Sequence, residues 1–86
     1  MHEFRWNDWN LEHATQHGVS PAEAERIVDK PGRGWPRRTG DQKLMVQGRG
    51  ESGRVVQVVY LTDPDGTIFI IHAMPLTTRR RRGGRR

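Results

Sequence analysis

Cysteine is absent from the 86-residue chain, which excludes a disulfide framework, a thiolate zinc site and cysteine-nucleophile chemistry. No apolar run approaches the ~20 residues that a bilayer-spanning helix needs. No basic-then-apolar stretch opens the sequence, so no secretory signal is expected and the expected compartment is the cytoplasm. Aromatic residues make up only 7% of the chain, and three of those six are Trp. A hydrophobic content of 33% and a mean hydropathy of -0.88 leave material for one thin core. A domain of this size buries roughly 60–65% of the surface its unfolded chain exposes. One domain over residues 1–78 is therefore expected, held by helix-on-sheet packing with no covalent staple.

What is abundant is positive charge, and it is unevenly spread. The formal net charge is +5 and the pI is about 11.0. Residues 79–86, RRRRGGRR, hold six of the fifteen basic side chains, and the other 78 residues carry nine basic and ten acidic ones. Residues 1–30 are net -3, whereas residues 31–54 are net +4. The sequence thus predicts a nearly neutral domain with a basic middle segment, followed by a low-complexity, disordered basic tail. That is a localised electrostatic footprint of the kind that meets nucleic acid.

Local signals divide the domain into β-α-α-β-β-β. Phe4-Arg5-Trp6 alternates as a short edge strand would. Asn7 and Asp8 can cap a first helix running from about Trp9 to His17, with Gly18 in a left-handed cap. Ser20-Pro21-Ala22-Glu23 starts a second helix: Ser20 as N-cap, Pro21 at the first helical position and Glu23 completing a capping box. Ala24, Ile27 and Val28 form its apolar stripe, and Pro31 ends it. Residues 31–42, PGRGWPRRTGDQ, hold three Gly, two Pro and three Arg and read as a loop without a regular element. Lys43–Gly48, Arg54–Leu61 and Thr67–Ala73 are rich in Val, Ile and aromatic residues and read as strands. The turn Asp63-Pro64-Asp65-Gly66 has Pro and Gly where a type I turn places them.

These strands form an antiparallel meander in an α+β fold with both helices on one face. Pairing about the 62–67 turn sets Leu61 against Ile68 and Gln57 against His72. The first hairpin sets Met45 near Gln57 and Lys43 near Val59. Because side chains alternate along a strand, Lys43, Gln47, Gln57 and His72 then share one face. Leu44, Val46, Val56, Val58, Tyr60, Phe69, Ile71 and Ala73 share the other, which is the expected core.

Two stretches resemble a known family. The run Phe4-Arg5-Trp6-Asn7-Asp8-Trp9-Asn10-Leu11-Glu12-His13, followed by His17-Gly18-Val19-Ser20-Pro21-Ala22-Glu23-Ala24-Glu25, is similar to the opening of the BrnT-like toxins. Lys43-Leu44-Met45-Val46-Gln47-Gly48, Gly53-Arg54-Val55-Val56-Gln57-Val58-Val59-Tyr60 and Ile70-Ile71-His72-Ala73 are similar to that family's strands. The resemblance covers about residues 4–78. It implies a RelE-like fold and the toxin of a type II toxin–antitoxin pair. Such toxins are metal-independent RNA endonucleases, neutralised here by a BrnA-type ribbon-helix-helix antitoxin and acting on RNA free or on the ribosome. Met74 stands where the family has an arginine, and Pro75-Leu76-Thr77-Thr78 with the arginine tail replaces its charged C-terminal helix. A non-catalytic RNA- or ribosome-binding module of the same fold is the alternative. A domain that binds only another protein is a third reading.

RNA cleavage without a metal needs a group to activate the 2′-hydroxyl, charge to stabilise the phosphorane and an acid for the leaving oxygen. Lys43 and Arg54 match the family's basic positions and are the expected charge stabilisers. His72 is the candidate acid or base, because an imidazole titrates near neutrality. RNA contacts are expected from Arg33, Trp35, Arg37, Arg38 and Arg49, and from Arg79, Arg80, Arg81 and Arg82 of the tail. Trp35 among arginines suits base stacking beside phosphates, and suits equally a loop anchor. His13 and His17 have a spacing that can hold a metal from one helix face. Nothing in the sequence completes such a site, so no metal and no cofactor is expected, and His17 reads as a favourable charge at a helix C-terminus. Glu12, Glu23 and Glu25 read as solvated helix surface.

Overall fold

The computed structural model describes residues 2–76. The tail residues Arg79, Arg80, Arg81 and Arg82, and the disorder expected of them, lie outside the described residues. Helix α1 spans Asp8–Thr15 and α2 spans Pro21–Asp29; strands β1 Arg37–Gly40, β2 Lys43–Arg49, β3 Val55–Thr62 and β4 Ile68–Pro75 follow, with a single 3-10 turn at Glu51–Gly53 before β3. The fold is α+β, with one antiparallel sheet in the order β1-β2-β3-β4. Among the described residues no helix is long and apolar enough to cross a membrane.

Both helices begin where their capping residues dictate. The Ser20 hydroxyl accepts the Glu23 N–H at 3.1 Å, and Pro21 occupies the first turn of α2. The Glu23 carboxylate does not return to Ser20, so the expected box is half made. The complete box is at α1: the Asn7 side chain accepts the Asn10 N–H at 3.0 Å, and the Asn10 side chain accepts the Asn7 N–H at 2.7 Å. Ser20→Ala is expected to cost about 1 kcal/mol through the lost cap. A urea midpoint unchanged at equal slope would show that the hydroxyl contributes nothing.

Strand β1 corrects the expectation of an unstructured 31–42 segment. All four of its residues are exposed, so it carries no apolar alternation by which a strand is read. It exists because the Asp41-Gln42 turn, with Gln42 at φ 59°, folds Arg37 and Arg38 back against Met45 and Leu44. The expected first strand is reduced to one parallel bridge between Phe4 and Ile68. There the Arg5 N–H donates to the Ile68 carbonyl at 2.9 Å, and the Ile68 N–H to the Glu3 carbonyl at 2.8 Å.

The hairpin registers also differ from those expected. Met45 pairs with Val59, and Gln47 with Gln57, a two-residue displacement that keeps every side chain on its expected face. In the second hairpin Thr62 pairs with Ile68 and Tyr60 with Ile70, which moves Ile68 and Ile70 into the core in place of Phe69 and Ile71. The cause is the turn. Gly66, at φ 92°, follows the type I turn as a left-handed bulge residue and makes Asp63 face Thr67; the Asp63 N–H donates to the Thr67 carbonyl at 2.8 Å. A second irregularity, between Val59 and Tyr60, returns His72 opposite Val59 and Ala73 opposite Val58. The core lies between the helices, through Ala14, Val19, Ala24, Ile27 and Val28, and one sheet face, through Val46, Val56, Val58, Tyr60, Ile68, Ile70 and Ala73.

Candidate functional site

Among the described residues, the opposite sheet face carries no helix. Lys43, Met45, Gln47 and Arg49 of β2, Val55, Gln57, Val59 and Leu61 of β3, and Phe69, His72 and Met74 of β4 lie on it, and none of them is buried. Lys43 is fully at the surface opposite Leu61, and His72 is half-buried opposite Val59. Two strand spacings and a two-residue offset put their Cα atoms about 12 Å apart. The expected polar row is partly formed, since the Gln47 amide donates to the Gln57 carbonyl oxygen at 3.3 Å.

Arg54 does not join them. Its guanidinium donates to both oxygens of Glu23, at 2.7 and 3.2 Å, and to the Gly18 carbonyl at 3.0 Å. Glu23, expected as solvated surface, is only 1% exposed. It also accepts the Glu51 N–H at 2.8 Å, and its carboxylate lies against the Cα of Gly50, where a Cβ would collide with it. Hydrogen bonding from Arg54 holds the Glu23 carboxyl below its ordinary range against the opposing effect of desolvation, with the Glu51 N–H assisting. The structure therefore ties Arg54 to α2 and leaves Lys43 and His72 apart on the open face. Glu25, also expected as free surface, is half-buried and accepts the Trp6 indole N–H at 2.8 Å.

The expected RNA-contact residues of the middle segment do gather. Arg33, Arg37, Arg38, Lys43 and Arg49 are exposed along the β1–β2 edge, and among the described residues none makes an ion pair. Trp35 is half-buried and packs against the core, with the Arg37 guanidinium 4.5 Å from its ring centroid. It anchors the loop while lining a cleft of about 260 Å³ with Arg33, Gln47, Arg49 and Val55.

A second cluster lies at the other edge of the sheet, where α1 packs beside β4. Trp9, expected in the core, is 51% exposed. Its ring stacks on His13 at 4.1 Å and lies parallel to Phe69 at 6.2 Å, and Arg5 covers Phe69 at 4.1 Å. One turn further along, His17 meets His72 edge to face at 5.5 Å. Burial and the facing His17 lower the His72 pKa below the ordinary imidazole value. The four-residue spacing of Trp9, His13 and His17 is visible in the sequence, but their meeting with Phe69 and His72 follows from the register of β4, which the sequence alone misassigns. Among the described residues no group of three His, Asp or Glu side chains could hold a metal ion. The chain matches no protein-family model, no curated protein and no solved structure.

Proposed function

We propose that this chain is an RNA-directed protein of the RelE-like toxin class, resembling the BrnT-like toxins and held in check by a BrnA-type ribbon-helix-helix antitoxin. The observation that carries the RNA reading is the row of unpaired cations at the β1–β2 edge: Arg33, Arg37, Arg38, Lys43 and Arg49. Five like charges held along one edge outnumber the carboxylate of Asp41 in the turn between β1 and β2, attract a polyanion and release its counterions on contact. The open sheet face beside them offers room for a strand of RNA without displacing a helix. The likeness to BrnT over residues 4–78 supports the toxin part of the reading.

Binding of a single-stranded RNA oligonucleotide as a function of salt tests the first part. The triple variant Arg33→Ala, Arg38→Ala, Lys43→Ala removes three exposed cations and is expected to lower the slope of log K against log salt by about 2, at roughly 0.7 per lost contact. An unchanged slope would remove this edge from the interface. Induced expression with and without a neighbouring ribbon-helix-helix protein, followed by RNA integrity, tests the second. One observation favours the alternative, a binding module without chemistry: Arg54, matched to a family basic position, has its guanidinium committed to Glu23 and Gly18.

A further inference from the structure

We propose that His17 and His72 form an acid–base pair that cleaves single-stranded RNA at the α1–β4 edge, with the Trp9–His13 stack beside them holding a base. This rests on the RNA reading above and does not require Arg54. The two imidazoles meet at 5.5 Å on a surface open to solvent, so one phosphodiester can lie within reach of both. The fold makes no use of either ring. His13 donates to the Trp9 carbonyl at 2.7 Å, whereas neither His17 nor His72 is held by a hydrogen bond within the described residues. The rings of Trp9 and His13 stack at 4.1 Å one turn away on the same face of α1, and so offer a π surface where the nucleotide's base would fall. Three strand spacings, about 14 Å, separate this edge from the cationic one, and a short oligonucleotide laid over the open face reaches both.

The reaction balances without a co-reactant. Neutral His72 accepts the proton of the 2′-hydroxyl. The O2′–P bond forms and the P–O5′ bond breaks. Protonated His17 gives its proton to the departing O5′, leaving a 2′,3′-cyclic phosphate and a 5′-hydroxyl. The division of labour follows from surroundings. His72 is half-buried; it meets His17 from the turn that follows α1 and pairs with Val59 of β3, and among the described residues His17 is the charged group that acts on it. Burial, and after it the facing His17, favour the neutral, basic form of His72.

The test is cleavage of a single-stranded RNA oligonucleotide by the full chain across pH, beside its copy with a 2′-deoxyribose at the scissile nucleotide. A bell-shaped rate profile, a cyclic phosphate product and no cleavage of the deoxy copy are expected. His17→Gln and His72→Gln should each lower the rate by about 10²–10⁴-fold and each remove one limb of the bell, while melting as the wild type does. If either melts early, His17→Asn and His72→Asn replace them in the same assay. Variants that cleave at the wild-type rate with an intact bell would overturn the pair. A wild-type chain that binds RNA with the salt slope described above but never cuts it, free or on ribosomes, would also overturn the pair and leave the RNA reading standing. A chain that binds no RNA would overturn both.

Discussion

Replacing Glu23 by alanine is expected to cost the domain about 3 kcal/mol, from the loss of charge-assisted hydrogen bonds each worth about 1.5–3 kcal/mol. The Glu51 N–H loses its acceptor, and Arg54 keeps only the Gly18 carbonyl. For a domain of this size each kcal/mol lowers the melting temperature by about 4–8 °C. Arg54→Ala makes the same point with a distinctive pH signature. In the wild type the Glu23 pKa is lowered, so the pair's contribution is complete above the unfolded carboxylate pKa and is lost as pH falls through the folded value. Without Arg54, burial is opposed by the Glu51 N–H and the charge of Arg26, and the carboxyl is expected to move up. The variant then gains stability from the protonated form at low pH and loses it as pH rises through the raised value. Urea denaturation at several pH values from 4 to 8 should show wild type and Arg54→Ala drawing together toward acid. Parallel curves would mean that Glu23 is ionised and solvated without its partner.

Asn10→Ala is expected to cost a similar amount, about 3 kcal/mol, because three backbone groups lose their partner together. Asn10 is fully buried. Its oxygen accepts the Asn7 N–H at 2.7 Å, and its amide donates to the Arg5 carbonyl at 3.1 Å and the Ile70 carbonyl at 2.8 Å. One side chain therefore starts α1, holds the N-terminal segment and fastens both to β4. Asn10→Asp keeps the oxygen and the volume but turns a carboxylate toward two carbonyls, so it should be no better than alanine. Amide exchange would report the same event locally, as lost protection at Arg5 and Ile68, whose N–H groups make the edge bridge. A loss below about 1 kcal/mol, with protection intact, would show that water replaces the amide at no cost.

Both residues mark the boundary of what the sequence discloses. The start of α2, the end of α1 and the 63–66 turn are written in short-range chemistry: Ser20 with Pro21, Gly18, and Pro64 with Gly66. Those features were legible because their cause lies within four residues. β1 was not, since its pairing owes nothing to its own side chains. The facing of Phe69 and Ile71 was misread because one left-handed residue, Gly66, adds a position to the hairpin and inverts the alternation up to the bulge. Glu23 has the spacing of a capping box, and only the approach of Arg54 from thirty-one positions away turns it inward. The candidate site shows the same division. The cationic edge could be located from the charge of residues 31–54. The meeting of His17 with His72 could not, because it depends on how β4 is threaded beside α1.

The fastening of α1 and the N-terminal segment to β4 has a consequence for synthesis of the chain. Phe4 bridges Ile68 and the Asn10 amide reaches the Ile70 carbonyl, so the first residues to leave the ribosome wait for some of the last. Until β4 emerges, α1 and α2 have an apolar side and no complete sheet to cover it, and loops this long close slowly. Growth of the chain therefore passes through a period in which Val19, Ala24, Ile27 and Val28 are unprotected, and during that period a chaperone has more to bind than the finished protein offers.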